Sequence, residues 1–400
     1  MTIDIDEDYL LGQLKALLSI DSPTGYTDQV VRYCSQELER LGLTPELTRR
    51  GAIRAVRQGS RRKGARAVVS HVDTLGAQVK AIKDNGRLEL VPIGHWSARF
   101  AEGARVTIYS YHGTFRGTIL PLKASGHTFN DEVDTAPVGW AHVELRIDAI
   151  TTSAAQTRGL GIDVGDTVAI DTGTEFLDNG FINSRHLDDK AGVAIALAAI
   201  EALERTGACT PVDTHWLFTI AEEVGVGASS ILTAEIASML TIDNGTTAPG
   251  QNSSEFGVTI AMADQTGPFD YHLTRKLVDL CIENDIPYQK DVFRYYRSDS
   301  ASALEAGHDI RTALATFGVD ASHGYERIHR HALTSVAQLV SAFAVSLVNI
   351  DRDAEEISSP KGFTSQPTEE AEQPLEVPSD GGRTPEHQRA LAGWSSPKPS

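Results

Sequence analysis

Cysteine is scarce in this chain: Cys34, Cys209 and Cys281 are the only three in 400 residues, and none has the Cys-x-x-Cys spacing of a thiolate metal site or redox centre. That argues against a disulfide framework and fits buried free thiols in a reducing compartment. Long apolar runs are also missing. No stretch reaches the roughly 20 residues that a helix needs to cross a bilayer, so no membrane partner is expected. Positive charge is outnumbered, with 36 Lys and Arg against 54 Asp and Glu and a formal net charge of -18. Nucleic acid presents phosphates that need a basic face, so it too is excluded as a partner. The opening residues, Met1 to Asp8, are acidic and lack the basic start and apolar core of a signal peptide, and the expected location is cytoplasmic.

What is present is enough chain for one large core and a second module. Residues 9–20 carry Leu10, Leu11, Leu14, Leu17 and Leu18 at helical spacing, and residues 27–43 repeat the pattern with Val30, Val31, Cys34, Leu38 and Leu41. A turn at Asp21-Ser22-Pro23-Thr24-Gly25 separates them. Residues 52–57 and 67–70 read as strands, the second running into His71-Val72-Asp73. Over residues 76–175 helical periodicity disappears, and short β-rich runs alternate with glycines. Helices are expected again at 191–205, 227–239, 273–284 and 331–349, with strands at 215–221, 240–242, 258–263 and 312–318. The expected fold class is α/β: a mixed sheet flanked by helices, formed by residues 1–75 and 176–350, with a small all-β domain inserted at 76–175. Residues 351–400 are rich in Pro, Glu, Ser and Gly, cannot bury enough apolar surface to offset ordering, and read as a disordered tail.

Polar residues collect at the expected strand ends: His71 and Asp73, Asp188, Glu222 and Glu223, Asp243, and His323. Buried carboxylates repel one another unless a cation or proton holds them together. Imidazole nitrogen with carboxylate oxygen suits zinc, cobalt or manganese, and the lack of thiolates argues against a structural zinc site. The candidate ligands exceed what one tetrahedral ion with an open position requires. Two ions sharing a carboxylate would use most of them.

Ser70-His71-Val72-Asp73, Leu187-Asp188-Asp189-Lys190-Ala191-Gly192, Ala221-Glu222-Glu223-Val224-Gly225, Ile242-Asp243 and Ser322-His323-Gly324-Tyr325-Glu326 stand in this order along the chain. Over roughly residues 7–350 they resemble the five metal-site motifs of the co-catalytic metalloaminopeptidases that include glutamyl, deblocking and tetrahedral aminopeptidases. The resemblance implies an aminopeptidase-like fold with a PDZ-like inserted module. It implies two divalent metal ions per subunit, bridged by Asp188, with His71 and Asp243 completing one and Glu223 and His323 the other. It implies that Asp73 orients the His71 imidazole and that Glu222 is the general base, taking a proton from the water between the metals. Short peptides would be the substrate, and a dimer built on the inserted module, or a tetrahedral dodecamer, the assembly. Two positions depart from the pattern. Thr74 follows Asp73 where relatives commonly have an acid, and Arg297-Ser298-Asp299-Ser300 stands where they have a Thr-Asp motif. These departures and the long tail resemble a subgroup found beside genes for the osmoprotectant N-acetylglutaminylglutamine amide.

Taken singly, these residues have plainer readings. A Glu-Glu pair is usually solvated surface, Asp188 and Asp189 could cap the following helix, and Lys190 could be a surface charge. His95, His127 and His186 carry no assignment, and His329 and His331 are readable as packing or surface residues. Two rival functions remain: an amidohydrolase or deacylase acting on a capped dipeptide, and a metal-binding scaffold without catalysis.

Overall fold

The structure, a computed structural model of the chain, describes residues 3–348 and 350–367. Two helices open it. Glu7–Leu18 starts on Asp6, whose carboxylate accepts the Tyr9 N–H, and buries Leu10, Leu14, Leu17 and Leu18. Asp28–Arg40 buries Val30, Val31, Cys34 and Leu38.

A 12-stranded mixed sheet follows. The strands that matter for the site are β1 (Ile53–Arg57), β2 (Ala65–His71), β3 (Thr214–Thr219), β4 (Ile236–Thr247), β5 (Arg311–Asp320) and β6 (Glu326–His329). They lie side by side in the order β1-β3-β2-β4-β5-β6. The pairs β3/β2, β2/β4 and β4/β5 are parallel, so their carboxyl ends share one edge. Every residue of β2 and β3 is buried. Strands covered on both faces cannot alternate polar and apolar residues, which is why both read as continuous runs.

The helix Leu187–Thr206 fills the centre. It is buried from Leu187 through Ile200, and its alanines at 191, 194, 196, 198 and 199 let neighbours approach closely on every side. Asp188 and Asp189 keep non-helical backbone angles, and Gly207 closes the helix at φ +63°.

Between β2 and the return to the main sheet the chain closes a six-stranded barrel of Gly76–Ile82, Leu88–Ile93, Val143–Ile147, Gly113–Pro121, Arg105–Ser110 and Thr167–Ile170. It has its own core, including Val79, Leu88, Leu90, Val106, Ile108, Ile119, Leu145 and Val168. Tyr109 donates its hydroxyl to Asp21 Oδ2 at 2.7 Å, tying barrel to body. The expected fold class, an α/β sheet with a small all-β unit, is borne out.

Several details differ from the sequence reading. The helix expected at 227–239 is only a single turn, Gly227–Ser230, and β4 begins at Ile236 rather than 240. Ser229, Ser230 and Thr233 favour helices weakly, and the Asp299 carboxylate accepts the Ala228 N–H at the start of the turn. The last helix, Arg330–Val345, stops short of 349 because the buried Arg66 guanidinium takes the carbonyls of Phe343, Ala344 and Ser346. Of the cysteines expected to be buried, Cys34 and Cys281 are, and Cys209 is exposed.

Within the first compact unit, residues 1–358, Asp351–Ala354 forms a short 3-10 turn. Its neighbourhood is held by Asp351, Asp353 and Glu355, paired with Arg61, Arg311 and Lys63. The second unit begins at Ser359, and there the Phe363 N–H donates to the Pro360 carbonyl at 3.0 Å. The rest of the expected disordered tail, 368–400, lies outside the described residues. Among the described residues no helix is long and apolar enough to cross a membrane.

Candidate metal centre

The carboxyl edge of the parallel strands brings the sequence-predicted residues together. His71 is the last residue of β2, beside Thr219 of β3, and the turn after β3 delivers Glu222 and Glu223. Asp243 lies on β4, and His323 occupies the hairpin between β5 and β6. Asp188 arrives from the head of the central helix.

The Asp188 carboxylate stands between two imidazoles, with Oδ1 3.1 Å from His71 Nε2 and Oδ2 3.1 Å from His323 Nε2. Glu222 Oε2 lies 3.7 Å from His71 Nε2, and Glu223 Oε2 lies 3.8 Å from His323 Nε2. Ligand atoms of His71, Glu222 and Asp243 fall within 4.8 Å of one another, as do those of His71, Asp188 and Glu223. His71 belongs to both groups.

The chemistry of the imidazoles tests whether a cation fits. His71 Nδ1 faces the Asp73 backbone carbonyl at 3.0 Å, and His323 Nδ1 faces that of His95 at 2.9 Å. A carbonyl only accepts, so both Nδ1 atoms carry hydrogen. A neutral ring then presents its Nε2 lone pair to Asp188, another acceptor, which is unfavourable without positive charge between them. The protein alone meets that demand with protons. Burial would lower both histidine pKa values, but hydrogen bonding to Asp188 together with the other hydrogen bonds and surrounding carboxylates outweighs it, raising His71 well above its ordinary value and His323 to about 10. Burial, reinforced by neighbouring charge, pushes Glu222 and Glu223 well up and Asp243 to about 7. Glu223 Oε1 and Asn244 Oδ1 are buried without a hydrogen bond. A site short of positive charge, rich in oxygen and imidazole nitrogen, suits divalent cations.

Asp73 sits differently from the expectation. His71 Nδ1 is nearer to the Asp73 backbone carbonyl than to its Oδ1, at 3.5 Å. The carboxylate accepts instead the N–H groups of Glu222 and Glu223, at 3.1 and 3.3 Å, and the Thr24 hydroxyl at 2.6 Å. Lys190 is buried rather than a surface charge, and its ammonium donates to Ser22 Oγ at 2.6 Å. Ser22 in turn donates to the carbonyl of Val72, next to His71. Asp189 caps the helix through Gly192 N–H and also accepts the His71 N–H, both at 3.1 Å.

Sequence reasoning missed Asn244, which donates to Asp188 Oδ2 at 2.6 Å and Asp243 Oδ1 at 3.2 Å. Its adjacency to Asp243 was the available signal. Among the histidines without an assignment, His95 supplies the carbonyl behind His323, His186 Nε2 faces the Ile170 carbonyl at 3.1 Å, and His127 is exposed.

A cavity of about 960 Å³ opens on the cluster. Beyond the candidate ligands, its walls include Gln251, Gln265, Phe293, Arg294, Tyr295 and Arg297.

The family model described as M42 glutamyl aminopeptidase matches residues 51–339. A Bacillus subtilis protein named as an aminopeptidase, YhfE, is 37% identical over 334 residues, covering 83% of this chain and 96% of its own length. The glutamyl aminopeptidase of Lactococcus lactis subsp. cremoris is 27% identical over 231 residues, 56% of this chain and 63% of that protein. Among solved structures, a TET aminopeptidase from a marine-sediment Thaumarchaeota archaeon superposes with a TM-score of 0.78 at 18% identity, covering 87% of this chain and 98% of its own. The Pyrococcus horikoshii TET1 peptidase, described as assembling into a tetrahedron or a large octahedral shell, gives 0.74 at 20% identity, covering 84% and 100%. These two structures share the fold.

Proposed function

Since the chain belongs to the M42 glutamyl aminopeptidase family and is a peptidase, we propose that it releases N-terminal residues from short peptides using two divalent metal ions. His71, Asp188, Glu223, Asp243 and His323 would hold the ions, with Asp188 shared. The observation that carries the reading is the Asp188 carboxylate set between two imidazoles whose Nδ1 atoms are already committed to carbonyls. When bound, the metal pair supplies Lewis acidity to the attacking water and the scissile carbonyl.

The chain's own residues do the rest. Glu222 holds the proton taken from the attacking water and returns it to the departing amine nitrogen, so the leaving group is neutral. Its Oε2 lies 3.7 Å from the Nε2 of the proposed ligand His71, beside the place where that proton is taken and returned. Asp73 fixes the Glu222–Glu223 turn through two backbone N–H groups, which orients the base. The cavity volume falls in the range of small-ligand sites, consistent with short peptides. Zinc or cobalt suits the donor set best, and manganese is a third choice.

The barrel is the proposed dimer contact, and a larger closed assembly such as a dodecamer follows from likeness to the TET structures. Cytoplasmic location is part of the same proposal and rests on the family's likeness and the cysteine usage.

The test is reconstitution. Metal-stripped protein is titrated with Zn²⁺, Co²⁺ or Mn²⁺ while aminoacyl anilide hydrolysis is followed, with Glu222→Gln as control. Activity saturating at two ions per chain, and lost in a variant that still binds both, supports the reading. Activity independent of metal sinks it.

A further inference from the structure

Five separate segments supply the proposed ligands, and a metal pair tolerates only about 0.5 Å of misplacement. The imidazoles are steered by backbone carbonyls, but the backbone that carries the ligands must itself be fixed. Three carboxylates outside the ligand set accept the N–H groups of the site's own residues. Asp189 takes that of His71, and Asp73 takes those of Glu222 and Glu223. Glu326 takes two more: Oε2 accepts from Asp188 N at 3.2 Å and Oε1 from His323 N at 2.9 Å.

Glu326 differs from the other two in what it joins. Asp73 holds two consecutive residues, whereas Glu326 spans Asp188, 138 positions away in sequence, and His323, three away. Its own backbone is anchored, because it opens β6 and pairs with Ser184 on the strand that leads into Asp188. His323 also needs holding. It sits at φ +63°, in the left-handed region that a residue with a side chain adopts at a cost. A carboxylate that is 1% exposed is costly to bury, and among the described residues its hydrogen-bond donors are these two N–H groups, with no ion pair.

We propose that Glu326 is a positioning residue whose carboxylate sets the distance between Asp188 and His323 and thereby the affinity of the ion on the His323 side. This inference rests on the two-metal reading above. Glu326 touches neither substrate nor ion. Its effect passes through the backbone of two ligands.

Gln is the informative replacement. Its side chain keeps the shape but offers one acceptor oxygen, and its NH₂ would meet the second N–H donor to donor. Metal-stripped full-length wild type and Glu326→Gln are titrated with Zn²⁺ by calorimetry and equilibrium dialysis, with circular dichroism to check the fold. Wild type is expected to bind two ions. Glu326→Gln should bind one with wild-type affinity and the other at least about tenfold more weakly, a difference of about 1.4 kcal/mol. Its kcat should recover in part at saturating metal. If Glu326→Gln does not fold, Glu326→Asp, whose shorter arm reaches only one of the two amides, should show the same selective weakening. Two ions bound with unchanged affinity in the variant, or equal weakening of both, would overturn the positioning role alone. A wild-type chain that binds fewer than two ions overturns the two-metal reading and this inference with it.

Discussion

Asp189 has both carboxylate oxygens committed, to Gly192 N–H and to His71 N–H, and this explains the glycine three positions on. A Cβ on Gly192 would lie 2.1 Å from Asp189 Oδ1. Gly192→Ala should therefore cost about 1–3 kcal/mol in urea unfolding and weaken metal binding, since Asp189 cannot move without releasing His71. Glu37 provides a second prediction, remote from the site. Burial would raise its pKa, but hydrogen bonds from Arg40 and Tyr9 outweigh that and lower it. A carboxylate depressed by folding stabilises above its unfolded value of about 4.3, and the gain is lost as pH falls through the folded pKa. Unfolding curves for Glu37→Gln should thus lie below wild type by a constant margin at neutral pH and converge with it under acid. The proposed ligands were legible in the sequence because each is a polar residue at the end of an apolar run. The helix cap by Asp189 was a reading the sequence offered, but its hold on His71 was not legible, nor were the holds of Glu326 and Asn244 on Asp188, because only the tertiary fold brings those groups within reach.

At the level of elements, β2 and the central helix were legible as buried runs, and their burial is what delivers His71 and Asp188 to one edge. The segment after Glu223 was not. Its apolar spacing reads as a helix, yet the Asp299 carboxylate accepts from Thr219 Oγ1 at 2.6 Å and Ala228 N–H at 2.8 Å, bracketing the turn that carries Glu222. Asp299 came into view only as part of an altered motif, without its clamp on that turn. Arg66 similarly decides where the last helix ends. It is 3% exposed and, among the described residues, is paired with no carboxylate; its guanidinium meets the helix's terminal carbonyls, Ser346 Oγ and the face of the Phe343 ring. Burial pushes its pKa down to about 10. Arg66→Ala should leave those carbonyls unpaired and cost on the order of 3 kcal/mol, read as a lower urea midpoint with unchanged m-value.

On the scale of the whole molecule, the fold is a scaffold that gathers acids, and the barrel is a separately cored unit inserted after the first histidine. The sequence showed the barrel as an all-β module with neighbouring short strands, but not its closure, which depends on Thr167–Ile170 pairing back to Gly76–Ile82 and Arg105–Ser110. A cluster of buried acids is a destabilising feature unless positive charge enters it. Ions that bind only the folded chain stabilise it by about 2.7 kcal/mol at a hundredfold excess over Kd. Chelation should therefore lower the melting temperature as well as abolish turnover, and adding back Zn²⁺ or Co²⁺ should restore both. A melting temperature indifferent to chelator would contradict the metal centre. The central claim, removal of a residue bearing a free α-amine, is tested most directly by comparing matched free and N-acetylated dipeptides with metal-loaded protein. Release of the N-terminal residue from the free series alone is the predicted result. Turnover confined to the acetylated series would contradict it and favour a deacylase built on the same site.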